Sequence, residues 1–302
     1  MSETRFKRMN DLPSTHLLGS GTAMCAGCGG LQAVQEIYDV LGEKTVFVNA
    51  AGCMTLLSVY PFTPFRGSWL YTSMASAPAG AQGVRDALDI LIQKRRMPPE
   101  EDLGVVVLSG DGAAYGMGLS ATSAAIDRGL DFLYVCYDNE GYANTGQQYS
   151  AATPRAAATA TSTRGYPGSK KDLFSIWLAN RPAYVATAVG AEPLDLARKI
   201  EKAKGLRGPR LVLVLAPCPT GWDFDPSEMV EIGRLAVRTG VWPLKEWVDG
   251  RVVHTKLRRP RLPVEEYLRK QGRFAHLFQP VRNEALLREI QAGVDAYWEG
   301  IE

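Results

Sequence analysis

The 302-residue sequence contains no apolar run approaching the roughly 18–20 residues needed to span a bilayer, so no membrane-crossing helix is expected. The first twelve residues, MSETRFKRMNDL, are charged and have no apolar core, which argues against a secretory signal and for a cytoplasmic protein. Charge of one sign is lacking too. Lys and Arg number 34 against 32 Asp and Glu, a net charge of +2, and the basic residues are scattered, so nothing favours a nucleic-acid partner. The densest basic stretch, KLRRPR at 256–261, reads as a solvated loop or a subunit contact. There is no internal repeat and no long low-complexity tract. Histidine is scarce, and none of His16, His254 and His276 falls among the cysteine, Gly-Asp-Gly or Asp-Asn-Glu motifs. Cysteine is limited to five residues, which in such a chain read as metal ligands or core residues rather than disulfides.

What is present is an alternation of apolar strands and amphipathic helices. Residues 31–41 (LQAVQEIYDVL) have helical spacing, and 45–49 (TVFVN) form a buried strand. Residues 80–95 predict a helix with Val84, Leu88, Ile90 and Leu91 on its apolar face. Strands follow at 105–109 (VVVLS), 132–137 (FLYVCY), 184–189 and 211–215, with helices at 119–127, 172–179, 194–204 and 283 to about 298. Strands that are apolar throughout predict an α/β fold, a parallel sheet with helices on both faces. The expected layout is an arm at 1–24, one domain at 25–225 and a mostly helical extension at 226–302. The long loop after position 150 (SAATPRAAATATSTRGYPG) is expected to be functional or covered by a partner.

Two sets of residues carry chemistry. Cys25 and Cys28 form a C-x-x-C in MCAGCGG, Cys53 lies in AAGCMTLL and Cys218 in APCPTGW, all in loops containing glycine or proline. Cys136 sits within an apolar strand and reads as core. Four loop thiols suit a [4Fe–4S] cluster or a zinc ion, and unligated cysteines remain open on this ground alone. The second set is Gly110-Asp111-Gly112 after one strand and Asp138-Asn139-Glu140 after the next, with Asp111 and Asn139 28 residues apart. Glycines at a strand end let backbone approach a phosphate, and an aspartate and an asparagine offer hard oxygens to magnesium.

Gly-Asp-Gly followed nearly thirty residues later by asparagine resembles the thiamine-diphosphate motif of decarboxylases and transketolases. CAGCG, FLYVCYDNEGYANTGQQ, SAATP, APCPTGW and VEEYLRKQGRFAHL together resemble the β subunit of pyruvate:ferredoxin oxidoreductase, from about residue 20 to about 280. The resemblance implies a thiamine-diphosphate-binding fold and oxidative decarboxylation of a small 2-oxoacid. Electrons would pass through a [4Fe–4S] cluster to ferredoxin, with coenzyme A as a possible co-substrate. It implies Cys25, Cys28, Cys53 and Cys218 as cluster ligands, and Asp111, Asn139 and the Gly141 carbonyl as magnesium ligands. Gly110, Asp111, Gly112 and Ala113, with Asn139, Glu140, Gly141, Tyr142, Ala143 and Asn144, would form the diphosphate cradle. Asn144 would face the reacting carbon, and Cys53 and Gly30 would contact thiamine. Many relatives carry an acid where this chain has Gly30, so that contact is either missing or made by backbone.

The activating glutamate is implied to come from an α-type partner. Glu36 and Glu140 are accordingly read as solvated or capping residues. A ferredoxin-like subunit is also implied, and the chain is expected to be inactive by itself. Residues 65–78 (FRGSWLYTSMASAP) depart from the pyruvate enzymes and predict a changed pocket wall and a substrate other than pyruvate, such as oxalate. Rival readings are a cluster-free thiamine-dependent decarboxylase and a zinc-stabilised interaction subunit.

Overall fold

A computed structural model describes residues 4–59, 61–256 and 260–301. Residues 257–259, within the basic stretch at 256–261, lie outside the described residues. After the arm comes α1 (Gly29–Leu41), whose Ala33, Val34, Ile37, Tyr38 and Leu41 recur on one buried face. It stops at Gly42, whose φ of +88° suits a residue without a Cβ. The strands β1 (Thr45–Ala50) and β2 (Ser68–Thr72) follow, then α2 (Ala77–Gln93), β3 (Gly104–Gly110), α3 (Leu119–Asp127) and β4 (Phe132–Asp138). Beyond the long loop come α4 (Leu173–Ala179), β5 (Tyr184–Val189), α5 (Pro193–Gly205), β6 (Pro209–Leu215) and the short α6 (Pro219–Trp222). The extension holds α7 (Met229–Arg238), β7 (Lys245–Val248), β8 (Arg251–His254), α8 (Val264–Leu268) and α9 (Glu284–Trp298).

The eight strands form one sheet in the order β2-β1-β3-β4-β6-β5-β7-β8. The first six are mutually parallel, and β7 and β8 add antiparallel at the edge. Strands β1, β4, β5 and β6 are buried along their whole length because helices cover both faces. One face packs on α1 and α5 through Ile37, Tyr38, Leu196 and Ile200. The other packs on α2, α3, α4 and α7 through Ala81, Leu88, Ala125, Trp177 and Ile232. Each such large side chain contributes about 1.5–3 kcal/mol relative to exposure.

Two readings of the sequence differ from the fold. On α2 the buried stripe runs through Ala77, Ala81, Arg85 and Leu88, while Ile90 and Leu91 are exposed. At about 100° per residue Ile90 lies about 200° round from Leu88, and buried Arg85, held by Asp89 and Asp102, occupies a core-facing position. The extension is mostly helical, but it also carries the β7–β8 hairpin. That hairpin closes on Asp249 and Gly250, both at positive φ, as a two-residue turn demands. Among the described residues no helix is long and apolar enough to cross a membrane.

Candidate functional site

From β1 the chain runs outward to β2, and from β3 it runs the other way, so the strand order reverses between β1 and β3. Ligand crevices in open parallel sheets open at such a reversal, outside the carboxyl ends of the strands. Four neighbouring strands deliver site residues there. Cys53 follows β1, Asp111 follows β3, Asn139 follows β4 and Cys218 follows β6. Cys25 and Cys28 arrive from the loop before α1, where the Gly29 amide donates to the Pro217 carbonyl at 3.1 Å and ties that loop to the end of β6.

A cavity of about 130 Å³ lies at this reversal. Its lining includes Gly52, Cys53, Met74, Gly110, Asp111, Gly112, Tyr137, Asn139, Gly141 and Tyr142, with Ala143 and Asn144 at its mouth. It is smaller than the roughly 300 Å³ of a complete small-molecule pocket. A Cβ on Gly112 would overlap the Tyr142 ring, so glycine is required for that ring to close the cavity wall. After Gly110 and Asp111 the chain forms a π-helical turn, Gly112–Met117, in place of a regular helix start.

The oxygen geometry is the most informative feature. Asn139 Nδ2 points to Cys53 Sγ at 3.9 Å. The other end of that amide lies 2.8 Å from the Gly141 carbonyl and 2.9 Å from Asp111 Oδ1. With oxygen at that end, the Asn139 side chain faces two further oxygens. Turning the amide over lets its nitrogen donate to both neighbours. The other physical solution is a cation. An octahedral ion with ligands at about 2.0–2.1 Å spaces adjacent oxygens by about 2.9 Å, so the donor set fits magnesium. Burial, then the neighbouring Asp138 carboxylate, pushes the Asp111 carboxyl well up, while the Ser150 hydroxyl donates to its other oxygen.

The thiols also gather. Burial, then Cys218, Cys28, Asp111 and Cys25, pushes the Cys53 thiol up to about 12, and burial pushes Cys218 up to about 11. Backbone amides donate to sulfur at Cys28 (Leu31 N, 3.4 Å) and Cys218 (Gly221 N, 3.3 Å), each cysteine capping the helix that follows it. Thr220 Oγ1 stands 4.0 Å from Cys25 Sγ, bringing the first and last cysteines together. All five cysteines are free, and Cys136 is buried within β4. Among the described residues no three His, Cys, Asp or Glu side chains are drawn tightly enough to hold a single ion. The oxygen set has only one carboxylate, and a four-iron cluster spreads its thiolates wider than one ion does.

Other expected residues lie elsewhere. Gly30 is buried in the first turn of α1, where a Cβ would meet the flexible end of Met54 at 2.8 Å, and the cavity is lined without it. Ala113 is buried behind the cavity. Neither glutamate is solvated or a cap. Glu140 is buried and paired with Lys170 (3.0 Å) and Arg273 (2.7 Å), and burial pushes the Glu36 carboxyl up to about 8. Of residues 65–78 only Met74 lines the cavity; Phe65 and Trp69 stack in the core, and Thr72 bonds the Asn49 carbonyl. Neither His16, paired with Asp39, nor His254, against the Tyr297 hydroxyl, lines it. Ser150 and Thr153 of SAATP, Trp222 of APCPTGW and Arg273 of VEEYLRKQGRFAHL also surround the site, although the sequence assigned them no role, and Lys170 joins them from outside any motif.

A family model described as thiamine pyrophosphate enzyme, C-terminal TPP binding domain, matches residues 50–214. The chain is 41% identical over 271 residues to pyruvate synthase subunit PorB of Methanocaldococcus jannaschii, covering 88% of this chain and 91% of that protein. It is 37% identical to subunit PorB of Thermotoga maritima, over 92% and 89%. It is 35% identical to ketoisovalerate oxidoreductase subunit VorB of Pyrococcus abyssi, over 90% and 89%. The solved 2-oxoglutarate:ferredoxin oxidoreductase from Magnetococcus marinus superposes with a TM-score of 0.58 at 24% identity, covering 78% of this chain and 84% of that one, and so shares the fold. A thiamine-type domain over half the chain, in a sequence aligned nearly end to end with these subunits, means that the chain belongs to the 2-oxoacid:ferredoxin oxidoreductase family as a β-type subunit.

Proposed function

We propose that this chain binds thiamine diphosphate through magnesium held by Asp111, Asn139 and the Gly141 carbonyl, and a [4Fe–4S] cluster through Cys25, Cys28, Cys53 and Cys218. The observation that carries this reading is the joint position of Asn139, whose amide faces two oxygens on one side and the Cys53 sulfur on the other. When bound, thiamine diphosphate supplies an electron sink for decarboxylation of a 2-oxoacid, and the cluster supplies a one-electron exit. The chain's own part is positioning. Gly110 and Gly112 would let backbone approach the diphosphate, Tyr142 would shield it, and Asn144, which lines the cavity, would meet the reacting carbon.

The small cavity supports completion of the site by an α-type subunit, and a ferredoxin-like subunit would carry electrons on to ferredoxin. The relatives act on pyruvate and on ketoisovalerate by name, so the substrate proposed is a 2-oxoacid, with pyruvate the first candidate. Turnover of the assembled complex against pyruvate, ketoisovalerate, 2-oxoglutarate and oxalate, with and without coenzyme A, tests it. Substrate-dependent ferredoxin reduction that requires added thiamine diphosphate and magnesium is expected. Reduction that proceeds equally without them would overturn the reading.

A further inference from the structure

Arg273 comes from the turn Gly272–Leu277 of the extension, yet its side chain is 2% exposed and lies against both halves of the site. Nη2 donates to Glu140 Oε2 at 2.7 Å, Nε donates to Gln271 Oε1 at 2.9 Å, and the guanidinium stands 3.8 Å over the Trp222 ring. Nη1 is buried with no hydrogen-bond partner. Leaving such a group unpaired costs about 1–3 kcal/mol or more.

Its two neighbours reach different donors. Glu140 lies between Asn139 and Gly141 at a φ of +61°, a conformation that costs a non-glycine residue about 1–3 kcal/mol. Trp222 ends the turn that begins at Cys218, its amide donating to the Cys218 carbonyl and its indole to the Asn139 carbonyl, both at 2.8 Å. Asp138, Glu140, Lys170 and Arg273 form a buried quartet in which two negative charges meet two positive ones. Without Arg273 that quartet carries a net negative charge beside the Cys218 turn.

We propose that Arg273 is a positioning residue that raises the electron affinity of the group held by Cys218 while clamping the Glu140 turn. The proposal rests on the reading of the four thiols as cluster ligands. A fixed positive charge stabilises the reduced, more negative state, and net charge is one of the determinants of a cluster's potential.

The test uses the full chain with its cluster reconstituted, titrated spectroelectrochemically. Arg273→Gln is expected to weaken electron affinity roughly tenfold, a negative shift of about 59 mV for one electron. Arg273→Lys is expected to stay near wild type, and Glu140→Gln to shift the potential positive. If Arg273→Gln does not fold, Arg273→Lys and Glu140→Gln still decide. Unchanged potentials in both charge-removing variants, or in Glu140→Gln when it alone can be measured, would overturn the proposal. A wild-type chain that takes up no iron would instead sink the cluster reading itself.

Discussion

Glu36 and Asp111 are both carboxylates that burial pushes up, yet their environments differ. Glu36 is half-buried on α1, accepts one hydrogen bond from Gln32 at 3.0 Å, and has its second oxygen buried without a partner. Its carboxyl is raised to about 8 from an ordinary value near 4.5, so the folded state binds its proton more tightly than the unfolded one. That contribution is complete below about pH 4.5 and is lost as pH rises through about 8. Glu36→Gln removes the titration, so at pH 9 the variant is expected to be about 1–3 kcal/mol more stable than wild type, with the gap closing toward pH 5. Urea denaturation at the two pH values checks this; a gap that widens on acidification would refute it. Asp111 faces the oxygen set instead. Asp111→Asn is expected to weaken magnesium-dependent thiamine diphosphate binding by tenfold or more, on the order of 1.4 kcal/mol, without unfolding the chain. Calorimetric titration showing unchanged affinity would remove Asp111 from the site.

At the scale of elements, the site is built from strand ends. Strands β1, β3, β4 and β6 are neighbours in the sheet although their residues span Thr45 to Leu215, so their carboxyl ends present Cys53, Asp111, Asn139 and Cys218 side by side. Cys218 also caps α6, its sulfur accepting the Gly221 amide. Cys218→Ala is expected to leave a folded protein that has lost its iron, because β6 is held by its own ladder and core. Iron analysis of the purified variant decides it, and four irons retained per chain would strike Cys218 from the ligand set. The strands were legible because each is a short apolar run bounded by turn residues. The β7–β8 hairpin carried a readable signal in Asp249-Gly250, but its strands are short and half exposed, so the run was too weak to separate from the helices around it.

For the whole molecule, the cavity of about 130 Å³ is smaller than a complete small-molecule pocket. The isolated chain is therefore expected to hold iron and bind thiamine diphosphate but to show no 2-oxoacid-dependent ferredoxin reduction. Adding the partner subunits is expected to restore it. Turnover by the purified chain alone would show that the activating group lies here and not on a partner.

The sequence by itself determined the five central strands β1, β3, β4, β5 and β6 and the helices between them, because burial on both faces demands uninterrupted apolar runs and solvent-facing helices demand a 3.6-residue period, whereas the more exposed outer strands β2, β7 and β8 carried no such run. It also carried the Gly-Asp-Gly and Asp-Asn-Glu turns and the four loop cysteines, since each needs a residue type that chain position alone does not require. Only the tertiary structure decided which of these meet. The reversal between β1 and β3 is a property of strand order, which local pattern does not encode. Ionic partners are equally invisible along the chain: Arg273 reaches Glu140 across 133 residues, and a buried arginine looks like any surface arginine until the fold closes round it.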